Sequence, residues 1–234
     1  MQELDTQLDG LHHQLATIPE AAQLAELAGR RAEVDGEVRD LRVEVDDLTA
    51  EQKRADADVE QVKARKARDQ GMVDAGSITD PKALQRMLGE LESLERRISD
   101  LEDAEIEVME RLEEAQANLE QRTAELEKLD RDLEALGHTR AHKARELEER
   151  LATVGADRKT TASGISADLL ALYEKLREQK GGVGASALRR RECGGCGLTI
   201  NPSDLATIAA APTDEVVRCE ECSRILIRTG ESGL

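Results

Sequence analysis

The stretch LQRMLGELESLERRISDLEDAEIEVMERLEEAQANLEQRTAELEKLDRDLEAL, residues 84–136, decides the fold. Steps of three and four residues pick out Leu84, Met87, Leu91, Leu94, Ile98, Leu101, Glu105, Val108, Leu112, Ala115, Leu119, Arg122, Leu126, Leu129, Leu133 and Leu136. Fourteen of these sixteen are apolar. A 3.5-residue period held this long is the pattern of a coiled coil. It weakens beyond Leu136, where Arg140 and Lys143 fall on the same seam before Leu147.

A partner run precedes it. Leu24, Leu27, Arg31, Val34, Val38, Leu41, Val45, Leu48, Gln52, Ala55, Val59 and Val62 follow the same spacing, ten of the twelve apolar. A shorter run, Leu4, Leu8, Leu11, Leu15 and Ile18, keeps the period in another phase. The slip falls at Pro19, which cannot donate inside a helix and so separates two helices. Between the long runs lies GMVDAGSITDPKAL, residues 71–84. Its glycines stop one helix, and Asp80-Pro81 is an N-cap followed by proline at the first helical position. So short a connector joins antiparallel neighbours, which predicts a hairpin of helices on the order of 100 Å long. Expected elements are helices at about 1–18, 19–70 and 81–152, with the turn at 71–80. The Gly/Thr/Ser-rich segment after Leu151 reads as a hinge. A short helix follows in SADLLALYEKLREQK, with Ser166 as N-cap and Tyr173 as a packing residue. The expected division is a hairpin over 1–160 and a C-terminal module over 161–234.

Composition agrees with a narrow core. Charged residues make up 35% of the chain, and Tyr173 is the only aromatic. Globular cores of this size use several large aromatic fillers. Of the formal net charge of -17, residues 1–180 carry -16, with 27 Lys and Arg against 43 Asp and Glu. Residues 181–234 have six against seven. An acidic body repels nucleic acid and anionic membranes, so the tail is the expected place for any contact with a polyanion, and no membrane partner is expected. There is no apolar stretch long enough to span a bilayer and no basic, apolar leader, so the cytoplasm is the expected location. His138 and His142, four apart without a third ligand nearby, read as surface residues.

The tail changes character at RRRECGGCGLTI, residues 189–200. Cys193 and Cys196 form one C-x-x-C, and Cys219 and Cys222 form a second after twenty-two intervening residues. Two such turns bring four thiolates around one ion, a donor set that favours zinc in a closed, structural site. A thioredoxin-like redox pair would need a single C-x-x-C in a βαβ setting. Gly195 and Gly197 are expected to ease the first turn, while CEECSR lacks that help. Strands are expected in SALRRREC, VVRC and RILIRT. The module's core is expected from Leu198, Ile200, Leu205, Ile208, Val216, Val217, Ile225 and Ile227. A module this small depends on its ion to fold. The fold class is therefore mainly α, a long antiparallel coiled-coil hairpin plus a small C-terminal β zinc ribbon.

With these motifs the chain resembles the bacterial four-cysteine zinc-ribbon family that carries an N-terminal coiled-coil hairpin. The resemblance covers nearly the whole chain and is sharpest in ITDPKALQRMLGELESLERRISDLEDAEIEVME, LLALYEKLREQKGG and CGGC…CEECSRIL. It implies zinc held by Cys193, Cys196, Cys219 and Cys222, with the ribbon at the base of the hairpin. Some relatives are linked to flagellar regulation with an alternative sigma factor and an mRNA, and others to nucleic-acid binding. No enzyme and no small-molecule substrate are expected. The first functional expectation is RNA or DNA contact by the ribbon through Arg189, Arg190, Arg191, Arg218, Arg224 and Arg228, because guanidinium donors match phosphate oxygens. Strand alternation would send Arg190 to the face opposite Arg189 and Arg191. The alternative is a protein-interaction scaffold or chaperone-like adaptor for transcription or another complex, docking its partner along the coiled coil or ribbon.

Overall fold

The computed structural model describes residues 1–234. In chain order the elements are α1 (Gln2–Ala16), α2 (Pro19–Asp74), α3 (Pro81–Ser163), α4 (Ala167–Gln179), β1 (Ala185–Arg189), β2 (Glu192–Cys193), α5 (Pro202–Ala210) and β3 (Ile225–Ile227). The phase slip at Pro19 is the α1–α2 break. The first helix of the hairpin runs through Gly71 and stops at Gly76, which takes φ 64°. Asp80 caps α3, its carboxylate accepting the backbone N–H groups of Lys82 and Ala83 at 3.2 Å each.

Two compact units divide the chain, Gln23–Leu136 and the set Met1–Ala22 with Gly137–Leu234. In the first, all twelve seam positions of α2 and all sixteen of α3 are buried or half-buried. Val34, Val38 and Leu129 form one cluster with Leu27, Leu119 and Leu126. Leu48, Leu112 and Ala115 form another with Val45. Polar seam positions find partners across the pair. Arg31 Nε donates to Asp130 at 3.0 Å, and Arg122 lies 3.0 Å from Glu37. Glu105 shares a hydrogen bond with Asp56, and this pairing of two acids, with burial, raises its carboxyl pKa. Partner numbers on α3 fall from 125 to 95 as those on α2 rise from 30 to 66, which fixes the antiparallel sense. Such polar pairs specify register more than they stabilise.

In the second unit α3 does not stop at about 152. It continues through Gly155 to Ser163, and the chain breaks at Gly164 and Ile165 instead. Tertiary anchoring overrides the weak local propensity here. Arg158, inside the expected hinge, donates to Asp5 of α1 at 2.5 Å and also bonds Glu174 of α4. Asp5 is only 1% exposed and accepts the Tyr173 hydroxyl at 2.6 Å. Gln2 completes the joint: its side chain accepts the N–H groups of Gly184 (2.8 Å) and Ala185 (3.2 Å) and donates to the Gly182 carbonyl at 2.8 Å. Tyr173, Leu176 and Ile225 pack beneath, with Met1 and Leu169 at the margin. Tyr173 is thus the packing residue its sequence context suggested, with its hydroxyl satisfied.

The sheet has the order β2-β1-β3. β1 and β2 are antiparallel, pairing Leu188 with Cys193 and Arg189 with Glu192, and β3 lies parallel to β1. SALRRREC is therefore a hairpin rather than one strand, and VVRC contributes only an isolated bridge between Arg218 and Ile225. Residues 202–210, unassigned in the sequence reading, form α5, with Asn201 accepting the Asp204 N–H at 2.9 Å.

Candidate metal centre

Each cysteine pair sits in a turn closed by its own backbone. In the first, Gly197 N–H donates to Cys193 O at 2.8 Å and Cys193 N–H to Leu198 O at 3.0 Å. In the second, Ser223 N–H donates to Cys219 O at 2.8 Å and Cys219 N–H to Arg224 O at 2.9 Å. The two turns are equivalent, so the second does have its counterpart to glycine. Ser223 takes φ 67° where Gly197 takes φ 72°. Gly195 serves differently, by leaving room: a Cβ there would stand 2.6 Å from Arg224 Cδ.

The turns face each other. Cys193 Sγ is 3.8 Å from Cys222 Sγ, and Cys196 Sγ is 3.9 Å from Cys219 Sγ. All four sulfurs lie within 4.8 Å of one another. A tetrahedron with metal–sulfur bonds of about 2.3 Å has edges of about 3.8 Å, so the donor set fits one zinc ion, and the spacing is too long for a disulfide. Backbone and hydroxyl donors point at the sulfurs. Burial raises the Cys193 thiol, but hydrogen bonds from Ser186 and from the N–H groups of Gly195 and Cys196 outweigh it and bring the pKa down to about 6. Burial dominates at Cys219 and pushes it up to about 12. With four thiolates engaged, the ion would have no open position for substrate.

Around the sulfurs lies a core of Leu188, Leu205, Ile208 and Leu226, with Ile200 and Val217 at its edge. Three residues expected in it are on the surface instead: Leu198 is 50% exposed, Val216 42% and Ile227 48%. Leu188, which the sequence reading left out, is fully buried.

The six arginines separate into two groups. Arg224 turns inward and donates to the carbonyls of Val183 (2.8 Å), Lys180 (2.9 Å) and Gly195 (3.1 Å), stapling the first cysteine turn to the end of α4. Arg228 donates to Ile208 O at 3.2 Å, Ala211 O at 2.5 Å and Pro212 O, satisfying the terminal carbonyls of α5. The other four are exposed. Arg190 and Arg191 are not strand residues on opposite faces. They form the two-residue loop between β1 and β2, both with positive φ (49° and 68°), the backbone of a type I′ turn. Their N–H groups donate to Glu231 O (2.7 Å) and Ser232 O (2.9 Å). Arg189 lies 3.5 Å from Glu231, and Arg218 Nε donates to Ser223 O at 2.9 Å.

Sequence reasoning named Arg224 only as a phosphate contact and not as the staple it forms, and it missed the part played by Ser223 and the Gln2–Asp5–Arg158 joint. The partners of Asp5 and Gln2 lie more than 150 positions away, so no local spacing signals them. Ser223 was legible in principle, because it stands after its C-x-x-C as Gly197 stands after the first. His142 is exposed and lies 3.6 Å from Glu146, and the only grouping of metal-ligating side chains is that of the four cysteines.

Comparison with known proteins agrees with this architecture. A family model for the CT398-like coiled coil hairpin domain matches residues 1–181, and one for the C4-type zinc ribbon domain matches residues 193–226. A Mycobacterium tuberculosis protein described only as uncharacterized is 33% identical over 97% of this chain and 91% of its own length. A solved structure from Mycobacterium smegmatis aligns with TM-score 0.77 and 32% identity, covering 97% of this chain and 94% of that one. CT398 of Chlamydia trachomatis, at 18% identity, shares the fold with TM-score 0.62 over 97% and 94% of the two chains.

Proposed function

Because the chain belongs to the CT398-like coiled-coil hairpin family and carries a C4-type zinc ribbon, we propose that it is a non-enzymatic regulatory adaptor that binds RNA or DNA through the ribbon. The observation that carries this reading is the Arg190–Arg191 turn. A type I′ turn needs positive φ at both central residues, for which Asn-Gly is the relaxed choice. Two arginines held there at φ 49° and 68° cost strain of order 1 kcal/mol or more, and such strain clusters at functional sites. The turn carries two guanidinium groups next to Arg189 in the chain, that of Arg191 also donating to Gly233 O at 3.1 Å, whereas Arg218 bridges Ile225 opposite the start of β1, and Arg224 and Arg228 act as framework. With Tyr173 buried as the only aromatic, contact runs through phosphates rather than stacked bases. The closed metal site leaves the ion a structural role, and the working location is the cytoplasm.

Anisotropy titration of a labelled mixed-sequence RNA and DNA at low salt tests this. Binding should weaken as salt rises, and Arg190→Ala/Arg191→Ala should weaken it about tenfold or more. Absence of binding, or binding indifferent to those substitutions, contradicts the reading. One observation favours the adaptor alternative without nucleic acid. An 860 Å³ groove beside the sheet is lined largely by apolar groups, among them Met1, Ile165, Leu169, Ile225 and Ile227, and it suits a protein segment better than a polyanion.

A further inference from the structure

The Arg190–Arg191 turn does not hold itself. Two adjacent non-glycine residues at φ 49° and 68° are strained, so the chain keeps this conformation only where its surroundings fix it. N–H groups at an exposed hairpin tip can be left to water. Here both are bound instead, Arg190 N–H to Glu231 O at 2.7 Å and Arg191 N–H to Ser232 O at 2.9 Å. The Arg191 carbonyl accepts the Ile200 N–H at 2.8 Å. Most of the restraint thus comes from TGESG, residues 229–233.

This segment has its own anchor. Ser232 is 1% exposed and, besides the cysteines, is the only buried polar residue of 181–234. Its hydroxyl donates to Leu188 O at 3.0 Å and accepts the Thr229 N–H at 2.8 Å, and its N–H closes back on Thr229 O at 3.1 Å. Leu188 is fully buried in the core around the sulfurs. A fixed point in that core therefore sets the carbonyls of Glu231 and Ser232, and these set the turn. One residue on, Gly233 O accepts Arg191 Nε at 3.1 Å. Gly233 takes φ 73°, and a Cβ there would stand 3.3 Å from Arg191 Cγ. The Arg191 side chain is thereby aimed through its Nε, while its two Nη nitrogens have no protein partner. The one charged side chain of the segment, Glu231, pairs with Arg189 and not with the turn.

We propose that residues 229–233 are a strap that positions the arginine turn for phosphate, with Ser232 as the positioning residue and Arg191 as the oriented donor. This rests on the ribbon reading given above and adds what holds that site in shape. A guanidinium held by its Nε keeps the Nη pair free in one orientation, and planar paired donors suit two phosphate oxygens at once. Order fixed before binding spares the entropy that a freely rotating side chain would lose on contact. The strap itself supplies no cation, so it acts through Arg190 and Arg191.

The test pairs amide exchange with anisotropy titration of the zinc-loaded full chain against labelled mixed-sequence RNA and DNA at low salt. Ser232→Ala removes the anchor. The Arg190 and Arg191 amides should then exchange about tenfold faster, and Kd should rise about fivefold. Zinc content and the protection of Ala185–Arg189 and Ile225–Ile227 should not change. On an Arg190→Ala/Arg191→Ala background the same substitution should alter Kd no further, which separates positioning from a general loss of structure. Gly233→Ala keeps the anchor and displaces Arg191, so it should raise Kd several-fold with both amides still protected, and it carries the test alone if Ser232→Ala loses zinc. The strap is overturned if the two amides keep their parent rates in Ser232→Ala, or if they are released and Kd does not rise. It is equally overturned if Kd rises as much without the two arginines, or if Gly233→Ala binds as the parent does. Absence of binding by the parent is a different result, which overturns the ribbon reading and with it the phosphate role, whatever the amides do.

Discussion

The seam of α2 and α3 and the ribbon solve the same problem, a small interior, by different means. Over Gln23–Leu136 the core is one-dimensional, two helices burying one row of side chains apiece, and length makes up for its thinness. In the ribbon six buried residues form the centre, two of them cysteines. That amount of apolar surface falls short of the conformational entropy of ordering some 45 residues. The missing free energy is the metal's, because zinc binding to four thiolates is also folding free energy. The seam tolerates local loss, whereas the ribbon is held at one point.

Four changes would break or sharpen this contrast. The largest effect should come from Cys219→Ser, which removes one thiolate from the tetrahedron. Zinc content should fall from about one equivalent toward none, with loss of the ribbon fold, while most helical circular dichroism persists. Apparent zinc contributions in such sites are on the order of 10 kcal/mol.

Next is Asp5→Asn, which strips the charge from a 1% exposed partner of Arg158 and Tyr173 and should cost about 3–5 kcal/mol. Burial raises the Asp5 carboxyl, but hydrogen bonds from Arg158 and Tyr173 and the charges of Arg158 and Arg177 prevail, so its folded pKa lies below the ordinary value. A depressed folded pKa means the stabilisation is present above the unfolded value of about 3.9 and is lost as pH falls through the folded one. Acid titration of thermal stability should show that loss in the parent and not in Asp5→Asn. Leu129→Ala, in the seam cluster with Val34 and Val38, should cost about 2–3 kcal/mol and leave zinc content unchanged. The smallest effect is a gain. Ser223→Gly relaxes a φ of 67° and should stabilise the ribbon by about 0.5–1 kcal/mol, read as a higher chelator concentration needed to melt it.

The contrast also explains what the sequence made legible. The seam could be read to the residue because periodicity is a local signal repeated many times, and its polar exceptions, Arg31, Glu105 and Arg122, sit where the count placed them. The four sulfurs were equally legible, since C-x-x-C is local geometry. What could not be read depends on distant partners. Gly155 looked like a hinge because its neighbours are poor helix formers, and the anchoring of Arg158 by Asp5 reverses that. The six arginines were read together as candidate phosphate contacts, yet Arg224 and Arg228 face backbone carbonyls that only the folded chain presents. Arg190 and Arg191 looked like strand residues, although a turn of two positive-φ arginines runs against every local preference.

The most direct test of the central claim is hydrogen exchange on the full chain, with zinc and after chelation. Chelation should abolish protection in Ala185–Arg189 and Ile225–Ile227, while the amides of Val34, Val38 and Leu129 stay protected at their zinc-loaded rates. The account is contradicted if the strands keep their protection without the ion, or if the seam amides lose theirs together with the strands.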